Sequence, residues 1–285
     1  MRGRKQRSKH QPGASPTRRW RLVWLATLLL VWLLCSGTAW AGPLTQRVAT
    51  FPDWPSKPVT QPAKGDLVYP DWFAGTWNVT TTLVDLVAPL APAITTPGFA
   101  SNRRLLGQPV QFQARFLPER EVFPDPSQRW RSPSNPIIAD RAFNGRNLAK
   151  AYLEREGTAR QKVVLAVQVD PHNPNRQITK LRDNHQLVST VTNRATEAPS
   201  DQDFITTEVF QQEFRGGAQI YFNTVETTTA YHHQFDPGQP AIVADQITAV
   251  YLSPQDADYF KAGDRPVALY RYRLDFVPVS KADAT

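Results

Sequence analysis

The chain has 285 residues and carries 33 Lys plus Arg against 25 Asp plus Glu, a formal charge of +8. Eight of those cations (Arg2, Arg4, Lys5, Arg7, Lys9, Arg18, Arg19 and Arg21) precede Gly42 with no acid among them, which leaves 25 of each sign from Gly42 onward. A balanced body has no counterion-release drive toward phosphate backbones, so the composition argues against nucleic-acid binding.

Residues 1–41 read as an export signal peptide: a basic stretch to Arg21, an apolar run of 14 residues from Leu22 to Cys35, then small residues ending Ala39-Trp40-Ala41. An A-x-A site there releases Gly42. The apolar run is short of the roughly 20 residues that span a bilayer, which favours cleavage over the alternative of an uncleaved membrane anchor and leaves no stable transmembrane anchor after cleavage. Thr17-Arg18-Arg19 resembles part of a twin-arginine signal, but Arg21 stands where such signals carry an apolar residue, so the export route stays open. Cys35 is the single cysteine and Met1 the single methionine, so the exported body has no disulfide and must be stabilised by an ordinary core.

Six prolines (Pro43, Pro52, Pro55, Pro58, Pro62 and Pro70) lie between Gly42 and Trp72. Residues 42–68 are therefore expected to be an extended spacer or strap, with Phe51 and Trp54 as docking side chains. A single β-barrel domain is expected over residues 69–280, followed by a tail at 281–285.

Within that domain the period-two pattern begins at Gly75, where Trp77, Val79, Thr81 and Leu83 share one face. Further strands are predicted at Val110 to Phe116, Val163 to Val169, Gln177 to Leu181, Gln186 to Thr192, Phe204 to Phe214, Gln219 to Tyr231, Ile242 to Leu252 and Val267 to Val277. Phe204 to Phe214 fits either period and is read as a strand on its β-branched content. Between several of these lie turn residues, Asp183-Asn184, Arg215-Gly216-Gly217, Asp236-Pro237-Gly238 and Gly263-Asp264. Asn147 to Glu156 spaces Leu148, Ala149, Tyr152 and Leu153 as a short amphipathic helix that packs on or plugs the sheet. The expected fold class is mainly β, an antiparallel barrel of about eight or nine strands with one short inserted helix; the alternatives are a β-sandwich or an α+β fold.

The opening Tyr69-Pro70-Asp71-Trp72-Phe73-Ala74-Gly75-Thr76-Trp77 resembles that of calycin barrels, the group that includes lipocalins. In that group a Gly-x-Trp starts the first strand and an Arg from the last strand packs over the Trp. The resemblance thus implies barrel closure by Gly75 and Trp77 with Arg271 or Arg273. The sequence departs from lipocalins proper in having Ala257-Asp258-Tyr259 in place of Thr-Asp-Tyr, a large inserted helix and no disulfide. A second resemblance covers nearly the whole exported chain. Val87-Ala88-Pro89-Leu90-Ala91-Pro92, Ala139-Asp140-Arg141-Ala142-Phe143-Asn144-Gly145, Asn173-Pro174-Asn175-Arg176-Gln177 and Tyr251-Leu252-Ser253-Pro254-Gln255-Asp256 are similar to an uncharacterised protein family of cyanobacteria and plant chloroplasts. That resemblance implies a thylakoid lumen or periplasm as compartment and supplies no catalytic residue.

No phosphate-binding loop, dinucleotide fingerprint or nucleophile elbow occurs. His232 and His233 are consecutive, so on a strand they point to opposite faces and share no ion readily. The acids Asp256, Asp258 and Asp264 lack the alternating ligands of a calcium loop, and the neighbouring Tyr259-Phe260 suggests a short helix. No catalytic residue and no metal ligand is assigned. The aromatic residues are the better lead: Phe112, Phe116, Phe222, Tyr270, Tyr272 and Phe276 are expected to face the lumen and line a site for a hydrophobic small molecule such as a tetrapyrrole, carotenoid or lipid. The competing expectation is a lumenal interaction or assembly factor for a membrane complex with no small-molecule ligand, and the third is an enzyme built on the barrel mouth.

Overall fold

The computed structural model describes residues 41–123, 135–154 and 162–279; all of the expected export leader (1–41) except Ala41, residues 280–285 and the last two residues of the predicted helix, Arg155 and Glu156, lie outside them. The described residues form a mainly β fold, one antiparallel sheet curled into a half-barrel with a few short helices. Twelve strands contribute: β1 (Gln61–Pro62), β2 (Val68–Tyr69), β3 (Gly75–Val87), β4 (Pro109–Pro118), β5 (Ile137–Ala139), β6 (Val164–Asp170), β7 (Asn173–Leu181), β8 (Gln186–Glu197), β9 (Asp203–Arg215), β10 (Tyr221–His233), β11 (Ile242–Tyr251) and β12 (Ala268–Pro278). The helices are α1 (Pro43–Ala49), α2 (Phe99–Asn102), α3 (Glu119–Val122), α4 (Arg141–Leu153) and α5 (Tyr259–Ala262).

Eleven strands run in the order β2-β5-β4-β3-β12-β11-β10-β9-β8-β7-β6, and β1 pairs with β8. Each of the nine predicted strands coincides with one of the long strands. The sheet exceeds the expected eight or nine because β1, β2 and β5 have only two or three residues each, too few to show a period. Register shifts insert an extra residue on β3, where Val84 lies opposite the Arg271/Tyr272 step of β12, and on β8, where Thr192 lies between Val191 and Asn193, the local irregularity that bends and coils a strand.

The two ends of the sheet do not pair with each other; α4 fills the seam between β4 on one side and β6 and β7 on the other. Because β5 pairs only with the Phe116–Pro118 end of β4, the remaining backbone of that edge needs other partners. The helix supplies them. Asn144 accepts from the Arg115 N–H at 2.6 Å and donates to the Arg115 carbonyl at 3.1 Å, while Asn147 donates to the Gln113 carbonyl at 3.2 Å. At the other end Glu154 accepts from the N–H groups of Val163 and Val164 at 2.9 and 2.8 Å.

The helix starts six residues before the predicted Asn147, because Asp140 caps it by accepting from the Phe143 N–H at 3.0 Å. Asn144-Gly145 obscures this start in sequence, since both residues are poor helix formers. Gly145 is there for packing: a Cβ would meet the Gln177 side chain of β7 at 2.7–3.0 Å.

The convex face is covered by α1 and the segment after it. Trp54 packs with Ile247, Ala249, Tyr251 and Leu269, flanked by Val48, Phe51 and Val87. Arg47 lies 3.8 Å over the Trp54 ring and donates to fully buried Glu226 through two bonds of 2.6 Å. Tyr251 and Thr228 hydroxyls complete the shell of Glu226 at 2.6 and 2.8 Å. Among the described residues no helix is long and apolar enough to cross a membrane.

Candidate functional site: a polar cleft on the concave face

Strand alternation and register place Phe204, Thr206, Glu208, Phe210 and Gln212 of β9 on the concave face, opposite Tyr231, Thr229, Thr227, Val225 and Asn223 of β10. The face divides into two halves. Toward one rim Phe73, Trp77, Val79, Ala114, Phe116, Phe204, Ile242, Leu274 and Phe276 form the main core. Its rings meet edge-on or tilted, with Phe73 lying 4.9 Å from Phe116, 5.0 Å from Tyr231 and 6.5 Å from Phe276, spacings at which aromatic pairs attract.

Toward the other rim the face becomes polar. Glu208 accepts from Arg141 at 3.0 Å and from Arg194 at 2.9 and 2.7 Å; Arg194 also donates to Asn175 Oδ1 at 2.8 Å, and Arg141 to Asp66 at 2.9 Å. Burial would raise the Glu208 carboxyl, but the two guanidiniums outweigh it and hold it below the usual carboxylate range. Arg141 is likewise held firmly protonated: burial opposes its charge, but the Glu208 and Asp66 carboxylates prevail. Burial, with Glu208 close by, pushes the Tyr231 hydroxyl up to about 12, and Tyr69 rises for the same first cause, so both phenols stay neutral. Two cations and two carboxylates make this cluster neutral as a whole.

Above it lies a cleft of about 170 Å³ lined by Arg141, Asn175, Gln177, Ser189, Val191, Phe210, Gln212, Val225 and Thr227. Four strands contribute, β7 to β10, and α4 provides Arg141 at its first turn. Asn223 Oδ1, cross-strand from Gln212, is buried with no donor among the described residues. Chemically the cleft offers amides and hydroxyls that both donate and accept, one neutralised guanidinium, and an apolar wall of Val191, Phe210 and Val225.

The residues expected to line a lumen lie elsewhere. Phe116 and Phe276 are buried in the main core, Phe112 packs against it, and Tyr272 bridges it to a second cluster holding Tyr270. Tyr270 accepts from Asn102 at 3.1 Å and packs on Phe99. Phe222 is a correction: it has the parity of Thr224 and Glu226 and so sits on the convex side of β10. None of the six lines the cleft: Phe222 lies on the other face, and the rings of the other five are packed in the core clusters.

The expected Arg-over-Trp closure also does not form. Gly75 adopts a φ of 126°, open to glycine, at the start of β3, and Trp77 is buried with its indole N–H donating to the Phe73 carbonyl at 2.8 Å. Arg271 and Arg273, however, alternate with Tyr270 and Tyr272 and point to the convex side, where Arg271 pairs with Asp245 and Arg273 with Asp275.

His232 bonds Asp203 at 2.8 Å on the exposed convex side, and His233 stacks on Trp72 with ring centroids 5.1 Å apart. Ser200 donates to Asp203 at 2.6 Å, not to His232, so the three residues make a turn brace and not a nucleophile–base pair. Among the described residues no group of three His, Cys, Asp or Glu converges as a metal site. Asp256 caps the Ser253 N–H, Asp258 pairs with Lys261 and Asp264 with Lys57.

The chain belongs to the family described as Domain of unknown function (DUF6816), which matches residues 61–280. No curated protein and no solved structure matches it. The matched region contains every residue of the cleft and its charged floor.

Proposed function

We propose that this is an exported small-molecule-binding protein of the thylakoid lumen or periplasm, of the cyanobacterial and chloroplast type its sequence resembles, whose ligand sits in the concave polar cleft. The observation that carries the reading is the cleft above the Arg141–Glu208–Arg194 cluster: a half-barrel that needed only a core would have continued the aromatic filling of its other half. Ordered charge at the floor, amides on the walls and an apolar side define one orientation for a guest. Cavities near 150 Å³ hold a six-membered ring, and the neutral floor favours an uncharged guest. The ligand class is therefore a small neutral ring with hydroxyl or amide groups, such as a sugar or cyclitol, in place of a pigment or lipid. The basic, apolar and A-x-A segments of the first 41 residues support export.

Thermal melting with millimolar glucose, N-acetylglucosamine, inositol, sulfate and retinol tests this. A neutral ring should raise Tm by about 2 °C or more for each kcal/mol gained while retinol and sulfate leave it unchanged, and Ser189→Trp should abolish the gain. No response to any neutral ring, or a response that survives Ser189→Trp, would sink the reading.

The competing reading, an assembly factor contacting a membrane complex, is favoured by apolar side chains exposed at one rim. Phe260 is 91% exposed and Leu106, Ile220 and Tyr221 are each more than 40% exposed. A cross-linker placed at Phe260 of the exported chain should capture one defined partner if this reading holds.

A further inference from the structure

The first residues of the described domain carry a second unassigned arrangement, and it concerns how the exported chain begins. Helix α1 opens with Gly42 as its N-cap and Pro43 in its first turn; Gly42 has no side chain with which to cap. The capping oxygen comes instead from the far end of β8. Glu197 Oε2 accepts from the Leu44 N–H at 2.9 Å, and Oε1 accepts from the Thr45 hydroxyl. The same carboxylate is pressed against the Gly42 α-carbon so closely that the three atoms nearest to a Cβ built there are Glu197 Cδ and its two oxygens. Glu197 is half-buried and, among the described residues, no Lys, Arg or His pairs with it. A half-buried carboxylate with two neutral donors and no cation is left short of its best partner.

A cation can arise at this spot by processing. The sequence places an A-x-A cleavage site at Ala39-Trp40-Ala41, immediately before Gly42. Hydrolysis of the Ala41–Gly42 peptide bond by water leaves a carboxylate on Ala41 and an α-amine on Gly42. That amine takes up a proton at neutral pH, since its ordinary pKa is about 7.7–8.0.

We propose that Glu197 receives the new α-ammonium of Gly42, so that removal of the leader completes an ion pair that locks α1 and the strap onto the convex face. The proposal rests on the export reading above and goes beyond it by assigning a residue that senses the cleavage. In the precursor the nitrogen is a neutral amide and the pair is absent. In the processed chain the pair fixes the first turn of α1, and with it Arg47 over Trp54 and against Glu226. Glycine at position 42 is required because a side chain there would push the Glu197 carboxylate away from the terminus.

The sign of the pH dependence follows. A partner carboxylate raises the folded-state pKa of the amine, so the added stability is present below its unfolded value of about 7.7–8.0 and is lost as pH rises through the folded value.

The test compares the full-length precursor with the processed chain, both purified from an exporting host, as wild type, Glu197→Gln and Gly42→Ala. A mass measurement defines the new terminus. At pH 7 processing should raise the wild-type Tm by about 2 °C, the scale of a partly exposed ion pair in a domain of this size. The gain should vanish near pH 10.5 and be absent at pH 7 in both variants. A gain of equal size in Glu197→Gln overturns the pairing even when the terminus is Gly42. A processed chain that starts at another residue overturns it by removing the cleavage reading.

Discussion

The two halves of the concave face share only β9 and β10 and solve burial in opposite ways. In the aromatic half, Phe73, Trp77, Phe116, Phe204 and Phe276 interlock, so the space is occupied by the protein itself. In the polar half Glu208, Arg141 and Arg194 consume most of one another's hydrogen-bonding capacity and leave the amides and hydroxyls above them around an open cleft. Apolar rings close-pack without regard to direction, whereas ion pairs and amides hold fixed geometries and cannot collapse to fill a gap. The contrast places the packed core in one half and the cleft of the proposed binding site in the other.

The largest expected effect is on the filled half. Trp77→Ala should cost about 3–5 kcal/mol in urea unfolding, because both the buried ring and its bond to the Phe73 carbonyl are lost; a cost below about 1 kcal/mol would mean that the aromatic half is not the core. Glu208→Ala should cost about 3–5 kcal/mol, since it strands two guanidiniums that have the carboxylate between them. The two variants separate by pH. The folded Glu208 carboxyl is depressed by Arg141 and Arg194 against the effect of burial. Its contribution is therefore present above the unfolded value of about 4.3 and is lost as pH falls through the folded value. Wild type and Glu208→Gln should converge in stability on acidification, while the Trp77→Ala deficit persists. Parallel acid limbs for wild type and Glu208→Gln would contradict the ionised cluster.

Much of the aromatic half was legible in the sequence and almost none of the polar half. Trp77, Phe116 and Phe276 stand at alternate positions of strands with clear period two, so both the strands and the apolar face could be read directly. What alternation does not reveal is whether a ring lines a space or fills it, and Phe112, Phe116, Tyr270, Tyr272 and Phe276 fill it, while Phe222 lies on the other face. Arg271 and Arg273 were assigned to Trp77 by resemblance, although their alternation with Tyr270 and Tyr272 already set them on the other face. Glu208 carried a signal that went unused: an acid amid Phe204, Ile205, Thr206, Thr207 and Val209 has nowhere polar to go unless a cation meets it. Arg141 and Asp66 lie beyond the reach of a sequence pattern, because Arg141 is 67 residues from Glu208 along the chain and Asp66 a further 75 residues from Arg141, and they come together only where α4 crosses the seam. The helix start at Asp140 was hidden by Gly145, whose role is contact with Gln177 and not propensity.

Smaller effects sharpen the division. Gly145→Ala should lower stability by about 1 kcal/mol and displace Gln177, so that any ligand response weakens more than the Tm does. Gln212→Ala, on the open side, should change unfolding free energy by less than about 0.5 kcal/mol yet reduce ligand affinity about tenfold, read by calorimetry. A stability loss as large as that of Trp77→Ala would make Gln212 part of the core.

The most direct measurement is native mass spectrometry of the processed protein taken from its own host, as wild type and as Ser189→Trp. The account predicts one copy of a neutral molecule built on a single six-membered ring on the wild type and none on the variant. A wild-type protein that emerges without a guest, or a guest held equally by Ser189→Trp, would contradict it.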